Sequence, residues 1–143
     1  DAEINRLAAS RMRPVSIIVI DLNNLKKIND ESGHAMGDLY IKNTANILKQ
    51  TFRPEDMIAR IGGDEFLVLL PLVDENICAQ AVERLNEYIR LFNQESEFPI
   101  SLSAGSATAQ AGDNLLERIR EADKRMYEEK AIFKASSDPP LRH

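Results

Sequence analysis

The sequence predicts an α+β domain built on one antiparallel sheet, and three observations carry that reading. Apolar and polar patterning follows the order β-α-α-β-β-α-β, with a further helix at either end. Residues 15–20 and 66–70 are nearly unbroken apolar runs, as buried central strands are, whereas 57–59 is short and 100–104 alternates. Gly62-Gly63 lies between two of these runs and reads as a β-hairpin, with glycine supplying the positive φ angles of a two-residue turn. Two split β-α-β units in this order give a ferredoxin-like sheet of strand order 4-1-3-2, its first and third strands central.

Taken in order, residues 1–13 read as the end of a helix, with Ile4, Leu7, Ala8 and Met12 on one stripe and Pro14 closing it. The chain is therefore expected to begin inside an element, as a domain cut from a longer polypeptide would. The first strand ends at Asp21. A short helix over 24–30, a break at Ser32-Gly33-His34 and a helix over 36–51 follow, the latter turning Ile41, Ala45, Leu48 and Phe52 inward. After the hairpin, a helix over 76–92 presents Ile77, Ala81, Leu85, Tyr88 and Phe92 to the core. The alternation at 100–104 marks an edge strand, and the last helix covers 115–134. The domain thus spans 1–134, and 135–143, with its Asp-Pro-Pro, reads as a tail or linker.

One domain with one core suits 143 residues of 43% apolar content. A net charge of −5 argues against a protein that wraps nucleic-acid phosphates, so no nucleic-acid partner is expected. It leaves room for a nucleotide site in which a metal neutralises phosphate locally. The single cysteine, Cys78, excludes an internal disulfide and a multi-cysteine metal site. With only His34 and His143, a histidine-based zinc site is not expected either. No apolar run is long enough to span a bilayer and no signal peptide opens the chain, so a cytoplasmic domain is the expectation. A parent protein anchored through a further segment is compatible with it.

In the predicted sheet the C-terminal end of the first strand lies beside the N-terminal end of the third. Asp21, Asp64 and Glu65 then converge from distant parts of the chain. Carboxylates at the rim of a core are costly to desolvate unless a cation or a proton meets them. An all-oxygen set suits a hard cation such as magnesium. No G-x-x-x-x-G-K-[ST], H-E-x-x-H or G-x-S-x-G pattern competes for the chemistry.

Several separated motifs go further. Gly62-Gly63-Asp64-Glu65-Phe66 is a signature in itself, and residues 21–30 match D-x-[DN]-x-[FL]-K-x-[IV]-N-D. Gly33 to Asp38 match G-H-x-x-G-D, and Ala122-Asp123, Met126-Tyr127 and Lys130 match A-D-x-x-M-Y-x-x-K. On these motifs the chain resembles the GGDEF domains of the diguanylate cyclase family over roughly residues 10–134, a palm-type fold related to nucleotidyl cyclases.

The resemblance implies condensation of two GTP into cyclic di-GMP with release of two pyrophosphates, on magnesium (or manganese), by two domains facing each other as a homodimer. It implies Asp21 and Asp64 as side-chain metal ligands and Leu22 as a carbonyl ligand. Asp64 or Glu65 would accept the hydroxyl proton, and Lys26 would stabilise the transition state. Asn29, His34 and Asp38 would bind substrate, with Asn29 and Asp38 on guanine, whose N1–H and N2–H₂ donors sit side by side. Gly62 and Gly63 would let the triphosphate approach the backbone, and Lys130 and Lys134 would reach its oxygens. Arg53-Pro54-Glu55-Asp56 matches the family's R-x-x-D product-inhibition motif, Arg53 offering its donor fork to one edge of guanine and Asp56 accepting from the other.

Three features depart from the family pattern. Asn23 stands where aspartate is commoner, Phe133-Lys134 replaces a Gly-Arg pair, and the usual opening D-x-L-T-G-L-x-N-R is absent. Sensory or output domains are expected elsewhere in the full-length protein. The alternative function is a regulatory domain that holds GTP or cyclic di-GMP and controls an attached phosphodiesterase or other output domain.

Overall fold

The computed structural model describes residues 2–137. Helix α1 (Ala2–Ala9) leads to strand β1 (Val15–Leu22), then helices α2 (Leu25–Ser32) and α3 (His34–Thr51). Strands β2 (Met57–Arg60) and β3 (Glu65–Pro71) form the hairpin, followed by α4 (Glu75–Asn93), β4 (Leu102–Ala109) and α5 (Leu115–Ser137). The sheet order is β2-β3-β1-β4 with every neighbour antiparallel, which is the predicted 4-1-3-2 arrangement of an α+β fold. No helix among the described residues is long and apolar enough to cross a membrane.

Strand β1 is buried along its whole length because both faces of the sheet are covered. Successive side chains of a strand point to opposite faces. Ile18, Ile20 and Leu22 therefore join one cluster with Tyr40 and Leu48 of α3 and Leu85 of α4. Val15, Ile17 and Val19 join a second with Leu7 of α1 and Leu115, Ala122 and Met126 of α5. Each fully buried aliphatic side chain contributes about 1.5–3 kcal/mol, so β1 is the spine of both cores.

The boundaries differ from the sequence reading where polar groups intervene. Helix α1 stops at Ala9 because the Ser10 hydroxyl donates to the Leu7 carbonyl and accepts from the Met12 amide, which takes Met12 off the stripe. Helix α3 buries Tyr40, Thr44, Ile47, Leu48 and Thr51, while Ile41 and Ala45 are only partly covered. The threonines enter the core because each hydroxyl is satisfied within the helix, on Tyr40 O and Ile47 O. Apolar counting misses that face.

In α4, Cys78, Ala81 and Leu85 are buried and Ile77 is exposed. The Asp74 carboxylate caps this helix by accepting from the Ile77 amide at 2.9 Å. Strand β4 is longer than residues 100–104 and shifted; Ile100 is buried but precedes it. Helix α5 continues past residue 134 to Ser137, and residues 138–143 of the expected tail lie outside the described residues.

Candidate active site

The register brings the predicted carboxylates together. Asp21 is paired with Glu65 across β1 and β3 and with Ser103 across β1 and β4. The Leu22 amide donates to the Asp64 carbonyl at 2.8 Å, tying the hairpin to the end of β1. Just beyond, Asn23 is fixed to the start of β4. Its amide nitrogen donates to Ser101 Oγ at 3.0 Å, and its side-chain oxygen accepts from Ser103 Oγ at 3.1 Å. The Tyr40 hydroxyl closes the network on the Asn23 carbonyl at 2.9 Å. Asparagine, standing where aspartate is commoner, supplies a donor that aspartate lacks, and here it is used on Ser101.

Asp21 is 7% exposed. Its Oδ2 lies 2.9 Å from Lys130 Nζ, and the same ammonium donates to the Leu22 carbonyl at 3.0 Å. Its Oδ1 is buried with no partner among the described residues. Burial pushes the Asp21 carboxyl above its ordinary range and Asp64 adds to that, while Lys130 pulls it back. The Glu65 carboxyl is also raised, by burial first and then by Asp123, Asp21 and Asp64, with Lys130 again opposing.

The Gly-Gly hairpin corrects one expectation. Residues 61–64 separate β2 from β3, with the Ile61 amide donating to the Glu65 carbonyl at 2.9 Å, so this is a longer loop than a two-residue turn. Neither Gly62 nor Gly63 has a positive φ; the positive-φ glycines among the described residues are Gly33 and Gly112. A Cβ at Gly63 would meet nothing, and one at Gly62 only Glu65 Cβ at 3.6 Å. What glycine supplies here is open space in front of the backbone. The Arg60 guanidinium pins the loop by donating to the Gly62 carbonyl at 3.2 Å and the Gly63 carbonyl at 2.8 Å.

Two cavities flank this strand end. One of about 580 Å³ is lined by Leu22, Lys26, Asp30, Asp64, Lys130 and Lys134. The other, of about 410 Å³, is lined by Asp21, Asp64, Glu65, Tyr127, Lys130 and Lys134. Asp64, Lys130 and Lys134 wall both. No group of three or more His, Cys, Asp or Glu among the described residues is arranged to hold a metal through side chains alone. The set present is smaller: the Asp21 and Asp64 carboxylates and the Leu22 carbonyl, with the buried Asp21 Oδ1 unpartnered. That fits a hard divalent cation that completes its shell with water and substrate phosphate.

Asn29, His34 and Asp38 line neither cavity and sit together at the α2–α3 corner. Gly33, at φ 88°, makes the corner and donates to the Asn29 carbonyl at 2.9 Å. Asn29 lies against Gly37, where any Cβ would collide with its Oδ1, an atom that is buried without a partner among the described residues. His34 and Asp38 are exposed on the first turns of α3.

The Arg53 turn lies at the opposite end of β2. The Asp56 side chain is 1% exposed, and it accepts from the Arg53 amide at 2.8 Å and the Arg53 guanidinium at 2.7 Å. Arg53 also donates to the Pro71 carbonyl at 3.1 Å. Asp56 is thus engaged with Arg53, whose own side chain reaches the surface beside an apolar-floored cavity of about 680 Å³. Sequence reasoning gave no role to Arg60 or Asp123. Arg60 directly precedes the Gly-Gly pair and Asp123 lies inside a quoted motif, so the signal was present for both.

Comparison with known proteins gives the family and the fold. The family model described as "Diguanylate cyclase, GGDEF domain" matches residues 1–135. The chain is 36% identical over 129 residues to the probable diguanylate cyclase DgcT of Escherichia coli K12, covering 86% of this chain and 28% of that protein. It is 36% identical over 126 residues to the diguanylate cyclase DgcS of Shewanella oneidensis, covering 87% of this chain and 42% of that protein. It therefore spans less than half the length of either relative. The crystal structure of the GGDEF domain of DgcB from Caulobacter crescentus, in complex with c-di-GMP, aligns with a TM-score of 0.81 at 26% identity over 92% of this chain and 82% of that one. A family match along residues 1–135, together with the shared fold, means that this chain belongs to the GGDEF domain family of diguanylate cyclases.

Proposed function

We propose that the domain is an active diguanylate cyclase, joining two GTP molecules into cyclic di-GMP and releasing two pyrophosphates. The observation that carries the reading is the strand end itself. A buried Asp21 oxygen without a partner among the described residues, the Leu22 carbonyl and Asp64 meet between two cavities walled by lysine.

Asp21 and Asp64, with the Leu22 carbonyl, are the residues that would hold magnesium, or manganese in its place. The ion when bound supplies a Lewis acid that offsets triphosphate charge and lowers the pKa of the attacking 3′-hydroxyl. Asp64 or Glu65 takes the proton of that hydroxyl, and the raised proton affinity of Glu65 suits a base. The hydroxyl oxygen then bonds to the α-phosphorus of the facing GTP, and the bond from that phosphorus to the bridging oxygen breaks. Pyrophosphate leaves with its new charge facing Lys26, Lys130 and Lys134. The open backbone at Gly62 and Gly63 lets the phosphates approach.

Asn29 and Asp38 bind the guanine edge, with His34 beside them on the same corner. Each chain holds one such site, so forming two equivalent phosphodiester bonds requires a homodimer with the sites facing. Product held at Arg53, oriented by Asp56 beneath it, inhibits from the far end of β2. Sensory or output domains of the full-length protein would set how often two sites meet.

The test is incubation with GTP and magnesium over a range of enzyme concentrations, measuring cyclic di-GMP and pyrophosphate, with Asp64→Ala as the control. Specific activity should rise with enzyme concentration and vanish in the control. GTP binding without product at any concentration would replace this reading with that of a regulatory nucleotide-binding domain.

A further inference from the structure

Lys130 does more than wait for phosphate. Its ammonium lies 2.9 Å from Asp21 Oδ2 and 3.0 Å from the Leu22 carbonyl, two of the oxygens assigned above to the metal. Both partners are enclosed, with the Lys130 side chain 16% exposed and that of Asp21 10% exposed. We propose that Lys130 is a positioning residue that stands in for the cation, holding the Asp21 carboxylate and the Leu22 carbonyl together until a metal ion replaces it. The inference rests on the cyclase reading of the same site.

The argument runs through charge. An ammonium and a divalent cation cannot share the same two oxygens, because like charges repel strongly where water is excluded. An ion pair this enclosed is also costly to break from one side, since either partner left alone is a desolvated charge. Lys130 therefore leaves Asp21 only on the condition that another cation takes its place, and leaves most readily on the second condition that another anion receives it. Its surroundings provide for the second condition. Lys130 walls both the 580 Å³ and the 410 Å³ cavity, so its flexible stem can turn into either, where triphosphate oxygens are expected.

The helix does not need to move for this exchange. Met126, one turn before Lys130 on α5, is fully buried, and α5 lies against the bare backbone of Gly105. The exchange is a side-chain swing on a fixed scaffold. Metal alone must drive Lys130 off Asp21 with no new partner for it, whereas metal with triphosphate gives the ammonium one. Metal and nucleotide should therefore each tighten the binding of the other by the same factor, as linkage requires.

The first experiment labels amines in the intact protein with limiting acetic anhydride and reads each lysine by mass spectrometry. It compares protein alone, with manganese alone, and with manganese plus a non-hydrolysable GTP analogue. Lys130 should be protected at first, several-fold more reactive with manganese alone, and protected again with both. Unchanged or reduced labelling at manganese concentrations that spin resonance shows to be bound would overturn the proposal.

The second experiment titrates manganese into the parent and Lys130→Met without nucleotide. The variant should bind more tightly by on the order of tenfold, and the mutual tightening with the GTP analogue should shrink. Equal affinities and equal coupling in the two proteins would overturn the stand-in role while leaving the metal site intact. Failure of manganese to bind either protein, with or without the analogue, would overturn the cyclase site and the proposal with it.

Discussion

Replacing Gly105 by alanine tests how the sheet positions the site. Gly105 is paired with Val19 in the middle of β4 and faces α5. A Cβ there would collide with the Ala122 carbonyl and the Met126 amide and lie 2.8 Å from the Arg125 carbonyl carbon. All three are main-chain atoms of a helix, so no rotamer change relieves the clash and α5 must retreat from β4. Overpacking of this kind costs about 1–3 kcal/mol. At roughly 2–4 °C per kcal/mol for a chain of this size, a cost near 2 kcal/mol lowers Tm by about 4–8 °C. A domain with about 5–15 kcal/mol of stability stays folded at 25 °C after that loss. Turnover at 25 °C then reports geometry and not the folded fraction. Because Lys130 follows Met126 by one turn, a lifted α5 carries its ammonium away from Asp21 and Leu22 O, and cyclase activity should fall well below the parent's. Thermal unfolding by circular dichroism and initial cyclic di-GMP production give the two readings. An unchanged Tm would refute the packing argument. A lowered Tm with full activity would refute the claim that this contact sets the position of Lys130.

Three further expectations concern the base, the product and pH. Asn29→Ala and Asp38→Ala should each weaken GTP binding by about 1–3 kcal/mol and erode discrimination against ATP, measured by titration calorimetry with both nucleotides; GTP affinity equal to the parent's in both variants would put the guanine pocket elsewhere. Arg53→Ala should relieve inhibition by added cyclic di-GMP while leaving initial turnover near the parent's, and inhibition that excess GTP fully overcomes would count against a site at this turn. It should also lower Tm, because the buried Asp56 loses its guanidinium partner. Glu65→Gln should stabilise the metal-free protein at neutral pH. The folded Glu65 carboxyl holds its proton to a higher pH than the ordinary glutamate value of 4.5, so its contribution to stability is complete below 4.5 and lost as pH rises through the folded pKa. The Tm difference between variant and parent should accordingly open above pH 4.5 and close below it; a constant difference would mean that ionisation is not the cause.

The sheet order and the meeting of Asp21 with Glu65 could be read from the chain because both follow from long-range consequences of local pattern. Two unbroken apolar runs define the central strands, and antiparallel pairing of those strands leaves little freedom over which ends adjoin. The buried face of α3 could not be read, because Thr44 and Thr51 count as polar until their hydroxyls are seen bonded within the helix. The extent of β4 was hidden for a related reason. Residues 102–109 are mostly serine, alanine, glycine and threonine, chosen for close approach to α5 and carrying little strand propensity. The bond from Lys130 to Leu22 O spans a separation of 108 residues and depends on the axial position of α5, which no local pattern encodes. Asp56 was expected to face a ligand, but the three-residue spacing that makes R-x-x-D a motif also lets the carboxylate fold back on Arg53.

The alternation of β1 explains why the carboxylates and the lysines meet at all. Ile17 and Val19 face α5, while Ile18, Ile20 and Leu22 face α3 and α4. Asp21 continues the first series and so points at the α5 layer, where Lys130 stands. Leu67 of β3 belongs to the same face, which puts Glu65 there too, beside Asp21 and close enough to Asp123 to feel its charge. A slip of one residue in the register would turn Asp21 toward Tyr40 and Leu48 and expel an aliphatic side chain in its place. The apolar residues that hold the sheet therefore also choose the face on which the acids lie. What they cannot do is stop the strand. That falls to Tyr40, whose hydroxyl donates to the Asn23 carbonyl and accepts from the Ser101 amide, taking both groups out of the ladder between β1 and β4. On the other side of β1 the Leu22 amide donates to the Asp64 carbonyl, and the Leu22 carbonyl accepts from Lys130.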